Sequence, residues 1–348
     1  MGGRDARESP TLESVAALAG VSRATAGRVL AGSPRVSEHA RDAVLHAAQE
    51  LSYVTNRAAR SLMTRRSDSI AFVVAEREER FFADPFFSLV LHGVHAAVAA
   101  HDVQVVFAVL STAAERERFE RFARGGHVDG VAFVSLHGED PLPARLQAAG
   151  VPVMLQGRPF GTERDAPAHV GYVDADNHGG SRAATRLLAD GGRRRIGTVT
   201  GPLDMAAAVD RFEGFRAELT TLDLQPAAVA HGDFSVAGGR RAAGRLLDAC
   251  PDLDGVVAAN DLMALGALQA LAERGRRVPD DVALIGFDDV PLATAATPPL
   301  TTVRQPMAEM GKAMASALLE GGALLDGEDR ADHLALVLPT EIVRRASA

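Results

Sequence analysis

The sequence predicts a small all-α headpiece joined to an α/β core of two doubly wound parallel-sheet subdomains. Three observations lead there. The first 55 residues hold three short helical patterns with capping residues. From residue 69 onward, apolar strand-like runs alternate with helical patterns of ten to fifteen residues. The charge is divided the same way: residues 1–66 carry ten Arg, no Lys and six acids, a net +4, against a net of −8 for the whole chain. A basic head on an acidic body is the pattern of a nucleic-acid-binding module attached to something else.

The elements follow in order. Residues 1–10 are polar and are expected to lack order. Thr11 is placed to cap a helix over "LESVAALA", with Leu12, Val15, Ala16 and Ala19 on one face. Gly20 stops it, and Ser22 caps a second helix, "RATAGRVLA". After the loop "GSPRV", Ser37 caps a third helix, "EHARDAVLHAAQELSY", striped by Ala40, Val44, Ala47 and Leu51. Two helices joined by a short glycine-containing turn form a helix-turn-helix outline. Next comes "NRAARSLMTRRSDS", in which Leu62 stands among Arg57, Arg60, Arg65 and Arg66 with no core in its own neighbourhood.

The core then reads as strand and helix by turns: "SIAFVVAE" and "FSLVLHGVHAAVAAH", "VQVVFAVL" and "AERERFERFAR", "VDGVAFVSL" and "PLPARLQAAG", then "VPVMLQ". After a break near 157–176 the series resumes through "RRIGTVTG", "LDGVVAAN" and "VALIGFDD" with helices between. The strands lack polar alternation, as expected where helices cover both faces. The expected boundaries are a disordered segment at 1–10, a headpiece at 11–55, a hinge or linker at 56–68 and a core at 69–348. Within the core, one subdomain takes about 69–167 plus 305–330, and the other about 168–304 plus 331–348. Ligands of such sheets bind beyond the carboxyl ends of the strands, here the cleft between lobes.

Composition narrows the functional classes. There is no Trp, and aromatics are 5% of residues, so stacking on single strands is not the expected activity. The single Cys250 excludes an internal disulfide and suits a reducing compartment. No apolar leader and no run of membrane-spanning length is present, so a cytoplasmic protein without membrane partners is expected. Walker A, G-x-S-x-G, H-E-x-x-H and C-x-x-C patterns are all missing, which argues against an enzyme. "DADNHG" opens like a calcium loop, but His178 and Thr185 stand where ligands are needed. His92 and His95 are three apart with no third ligand in view. Neither metal nor cofactor is expected.

The stretch from "TLESVAALAGVSRATAGRVLAGSPRVSEHARDAVLHAAQELSYVTNRAARSLMTRRSDSIAFVV" closely resembles the head of the lactose/galactose-repressor (LacI/GalR) family. The likeness continues through "ADPFFSLVLHGV", "DADNHGGSRAATRLL", "RRRIGTVTGP", "AANDLMALGALQAL", "VPDDVALIGFDDVPLA" and "PPLTTVRQP". It implies a core like a type I periplasmic binding protein. It also implies a homodimer on palindromic double-stranded DNA, and a small effector, most often a sugar or sugar derivative. The chain ends without leucine heptads, so a dimer rather than a tetramer is expected.

The resemblance carries over residue by residue. Arg23, Ala24 and Arg28 fall at base-reading positions near the start of the second helix, and Thr11, Ser22 and Thr25 at phosphate-facing ones. In "NRAARSL", Asn56, Arg57 and Ala59 belong to the implied hinge helix, and Leu62 is its minor-groove wedge. The family's "TVSRVL" is "TAGRVL" here. Ala26 gives up two methyls, and Gly27 costs about 1 kcal/mol within a helix, so a weaker headpiece is expected. The implied effector residues are Phe86, Phe87, Arg211, Phe234, Asn260, Asp288 and Gln305. Gly157, Met205 and Ala207 stand where polar groups are common, so a less polar pocket is expected. The alternative is a transport-type sugar-binding protein, which shares the core but has no use for the headpiece.

Overall fold

The helix starts are set by local chemistry. The computed structural model describes residues 10–30, 33, 35–53, 66–162, 170–320 and 334–348. The chain divides into two units after Ser67. In the first, α1 (Leu12–Leu18) opens on Thr11, whose side chain accepts from Ser14 N while Ser14 Oγ accepts from Thr11 N. Then come α2 (Arg23–Leu30), begun by Ser22, and α3 (Glu38–Glu50), begun by Ser37. The last three residues expected in the third helix lie outside it. Ser52 takes a φ of 50°, Tyr53 N donates to Ala48 O and Ser52 N to Gln49 O, which closes the helix in a Schellman turn.

Val15, Ala16, Ala26, Val29, Val44 and Ala47 are buried together as the core of this unit. Ala26 is fully buried, so the two missing methyls are missing from the core itself. A Cβ at Gly27 would lie 3.7 Å from Leu12 Cδ2, an ordinary contact. Gly27→Ala is therefore expected to stabilise the headpiece by about 1 kcal/mol. Slower hydrogen exchange of the α2 amides in the full chain checks this.

The second unit runs β1 (Ser69–Val74), α4 (Glu78–Ala83), α5 (Pro85–Val98), β2 (Gln104–Val109), α6 (Ala113–Phe122), β3 (Gly130–Val134), α7 (Leu142–Ala148), β4 (Val153–Gln156) and β5 (Gly171–Ala175). It continues with α8 (Asn177–Asp190), β6 (Ile196–Thr200), α9 (Ala206–Thr221), β7 (Val229–His231), α10 (Val236–Ala249), β8 (Gly255–Ala258), α11 (Asp261–Glu273) and β9 (Ala283–Asp288). Last come α12 (Pro291–Ala295), β10 (Thr301–Arg304), α13 (Met307–Glu320), β11 (Ala335–Leu338) and β12 (Glu341–Val343). One sheet has the order β11-β5-β4-β3-β1-β2, parallel throughout. The other has the order β12-β10-β9-β8-β6-β7, with β12 alone antiparallel.

Two boundaries differ from the sequence reading. Residues 171–175 fall in the expected break and 335–338 in the expected second subdomain, yet both pair into the first sheet. The lobes therefore exchange chain just after Ala175 and just after Leu338. Strands of four or five residues, one of them an edge strand with every second residue exposed, are too short to carry a period of their own. Helix α13 returns to the first lobe and packs on α5. The approach is close because both helices bring glycines: a Cβ on Gly93 would sit 1.8 Å from Ala308 O, and one on Gly311 2.0 Å from Val90 O.

Candidate functional site

Two surfaces follow from this framework. On the headpiece, Ser22, Arg23, Ala24 and Arg28 are exposed and Thr25 is half-buried. Ser22 Oγ accepts from Thr25 N at 3.1 Å and lies 2.9 Å from Thr25 Oγ1, so both hydroxyls shape the start of α2. Arg23 is paired with Glu13 at 2.9 Å and Arg28 Nε donates to Ala24 O. Both bonds are solvent-exposed and worth little, so both arginines are available to a stronger partner. Thr11 is spent on capping α1. Asn56, Arg57, Ala59 and Leu62 lie outside the described residues.

The second surface is the cleft where strand ends of the two lobes meet. At its floor lies Arg211, on α9. Its Nε donates to Asn177 Oδ1 at 2.8 Å, one terminal nitrogen donates to Ala259 O and lies 3.4 Å from Asp288 Oδ1, and the guanidinium stacks 3.8 Å over Phe287. Asp288 ends β9 with a φ of 110° and accepts from Gln305 Nε2 at 2.5 Å. Sparsely populated backbone of this kind is held at functional sites by its surroundings. Burial pushes the Asp288 carboxyl up to about 7 against the pull of Arg211, and burial likewise pushes Asp174 up to about 6. Asn260 caps α11 by accepting from Met263 N and donates to Phe234 O. Five of the expected effector residues, Arg211, Phe234, Asn260, Asp288 and Gln305, are thus buried in one region.

The two phenylalanines on α5 sit differently. Phe87 is fully buried in the core of the first lobe and Phe86 packs half-buried against that core. The rings expected to face a sugar instead meet Arg80, whose guanidinium lies 5.6 Å from the Phe87 centroid and 4.8 Å from that of Phe234. Arg80 on α4 is absent from the sequence expectation. So are Glu76, Ser135, His137, Asp174, Asp204 and Asp210, which the fold gathers here together with Arg158, the residue the sequence offered as a charge for the pocket. Arg158 bonds Asp210 at 2.9 Å across the cleft, and its backbone N–H donates to Asp174. The acids of "DADNHG" are likewise engaged: Asp174 accepts from Asn177 Nδ2, and Asp176 caps α8. His92 and His95 are exposed on α5.

Beside this network opens a chamber of about 390 Å³, within the range of small-molecule sites. The first lobe lines it with Ser135, Pro141, Gly157, Arg158 and Phe160, and the second with Met205, Ala206 and Ala207. None of the seven expected effector residues lines it. Gly157, with a φ of 91° and open space where a Cβ would stand, widens it, and Met205 and Ala207 give it an apolar wall. Arg80 and Arg158 each bury an Nε without a hydrogen-bond partner among the described residues. A buried donor without an acceptor is costly unless something fills the site.

Comparison with known proteins bears on both surfaces. Residues 11–56 match the family model described as "Bacterial regulatory proteins, lacI family", and residues 185–348 the one described as "Periplasmic binding protein-like domain". The chain is 46% identical over 343 residues to the HTH-type transcriptional regulator CelR of Thermobifida fusca, covering 98% of this chain and 99% of that one. It is 31% identical over 314 residues to the HTH-type transcriptional repressor CytR of Escherichia coli K12, covering 89% of each. Among solved structures, a transcriptional regulator CelR–cellobiose complex superposes with a TM-score of 0.76 at 44% identity, over 97% of this chain and 100% of that one. The lac repressor dimer bound to operator and the anti-inducer ONPF superposes with a TM-score of 0.81 at 26% identity, over 98% and 99%.

Proposed function

This chain belongs to the LacI family of bacterial regulatory proteins, and from that premise we propose that it is a transcriptional repressor whose grip on operator DNA is set by a sugar held between its two lobes. The effector class is a glucose disaccharide of the cellobiose kind, since the CelR regulator that superposes over 97% of this chain is in complex with cellobiose. The working form is a two-fold dimer on a palindromic site, a reading supported by the lac repressor, which is described as a dimer bound to operator. The observation that carries the reading is the presence in one chain of two surfaces. One is a headpiece helix with Arg23 and Arg28 exposed; the other is a two-lobed cleft with a buried polar floor. A transport-type binding protein would need only the second.

Arg23 and Arg28 are the base readers and Ser22 and Thr25 hold phosphate, while Arg211, Asp288, Asn260 and Gln305 offer the effector a mixed set of donors and acceptors. The effector prefers one arrangement of the lobes. To swing a population from about 1:99 to 99:1 it must favour that arrangement by about 5.5 kcal/mol.

The test is selection of genomic fragments on the purified full chain, with and without cellobiose. Discrete inverted repeats are expected, with occupancy that changes when the sugar is added. Absence of preference for any duplex sequence under both conditions overturns the reading. On the recovered site, Arg28→Ala is expected to relax base preference at one position of each half-site, losing about 1–3 kcal/mol of discrimination. A uniform loss across sequences would mark Arg28 as a phosphate contact instead.

A further inference from the structure

Beside the chamber, one side chain bonds to both lobes. His137, on the loop after β3 of the first lobe, places Nε2 at 2.8 Å from Glu76 Oε1 and Nδ1 at 2.9 Å from Asp204 Oδ2. Glu76 follows β1 in the first lobe, and Asp204 follows β6 in the second. Beside the ring, Gly138 N donates to Asp204 O at 2.7 Å, a second bond across the same gap. The flanking residues Leu136, Gly138 and Met205 line the chamber, so these bonds tie the two lobes together at its wall.

Glu76 connects the clasp to the interior. Its Oε1 also accepts from Ser135 Oγ at 2.8 Å and from the Arg80 guanidinium. One buried carboxylate oxygen therefore serves three donors, and one of them, Arg80, also buries an Nε without a hydrogen-bond partner among the described residues. A guest that draws Arg80 toward itself frees that oxygen for His137.

We propose that His137 is a proton-dependent clasp that holds the lobes closed over the effector. The inference rests on the cleft being the effector site. An imidazole between two carboxylates satisfies both only as imidazolium, because the neutral ring has a single N–H. The charged groups facing it are Glu76 from the end of β1, Arg80 behind Glu76 on α4, and Asp204 from the end of β6. On its own loop lie Glu139 and Asp140, the latter tied to Arg116 at 3.0 Å. Farther in, Asp84, Asp233 and Asp288 face Arg80. Both contacts are complete only when the ring carries both N–H groups, so the clasp, and effector affinity with it, is expected to strengthen as pH falls.

The experiment is calorimetric titration of the full chain with cellobiose at about pH 5.5 and about pH 8. The wild type is expected to bind about tenfold more tightly at the lower pH, the scale of one partly exposed charge-assisted contact. Asp288 also titrates in this range, so the comparison between variants is decisive. His137→Gln is expected to bind more weakly at low pH and to lose most of the slope. Asp204→Asn, whose amide can donate to the unprotonated Nδ1, is expected to lose the slope while binding tightly at both pH values. A slope that persists in both variants overturns the clasp. If cellobiose gives no heat at any pH, the effector reading fails, and the clasp is read without sugar from hydrogen exchange of the Gly138 amide. Its protection is expected to fall about tenfold in His137→Gln; unchanged protection overturns the clasp.

Discussion

Replacing Asp288 with alanine is expected to weaken cellobiose binding about 100-fold, the scale of one or two hydrogen bonds to a buried charge. Operator affinity measured without sugar is expected to stay within about twofold. The residue is 4% exposed, is held by Gln305 and faces Arg211, so it has no route to DNA except through the lobes. The sugar-dependent change in operator occupancy disappears with the binding. An unchanged response in this variant would place the effector elsewhere. Asp288→Asn separates charge from contact, since asparagine tolerates positive φ and keeps a partner for Gln305.

The same residue sets a pH dependence whose sign is fixed. Its folded-state carboxyl is pushed up to about 7, above its ordinary value of about 3.9 in an unfolded chain. Its contribution to stability is therefore complete below about pH 4 and is lost as pH rises through about 7. Asp288→Asn is expected to flatten that decline. Denaturant unfolding at several pH values measures it, and an equal decline in both proteins would assign it to another group.

The second large effect is expected from Leu62→Ala. The sequence "NRAARSL" places this leucine between arginines, and in the family resemblance it is the wedge at the operator centre. Parting a base step costs a few kcal/mol, returned by the contacts that a bent duplex allows. Losing the wedge is expected to cost about 100-fold on the operator and less than about threefold on random duplex, where phosphate charge supplies the affinity. The salt dependence is expected to be unchanged, because no charge is removed. Equal losses on both DNAs in a filter-binding titration would show that Leu62 is no wedge.

Much of the fold was legible because its signals are local. Thr11, Ser22 and Ser37 marked three helix starts within a residue, since a cap and the N–H it serves are three residues apart. Strands β1 to β4, β6, β8 and β9 showed as largely apolar runs, while β7, β10 and β12 did not. Strands β5 and β11 did not show, and the lobe boundaries moved with them, because what makes four or five residues a strand is the neighbour they find. The site was legible to the same limit. Asn260 and Asp288 stood just past apolar runs and Arg211 came from the family resemblance, but Arg80 read as one more charge in "EREERFFADP".

The sequence by itself determined the division into a basic three-helix head and a two-lobed α/β body, and it placed Arg23, Ala24 and Arg28, the expected base readers, on one helix. Capping, periodicity and charge act over a few residues, so a linear reading captures them. Only the tertiary structure decided that Glu76, His137 and Asp204 meet, across separations of 61 and 67 residues. It alone decided that Arg80 lies over the rings of Phe87 and Phe234, from opposite lobes. Such contacts depend on which strand ends the sheet order brings side by side, and that order is fixed by burial of whole elements rather than by the residues that meet there.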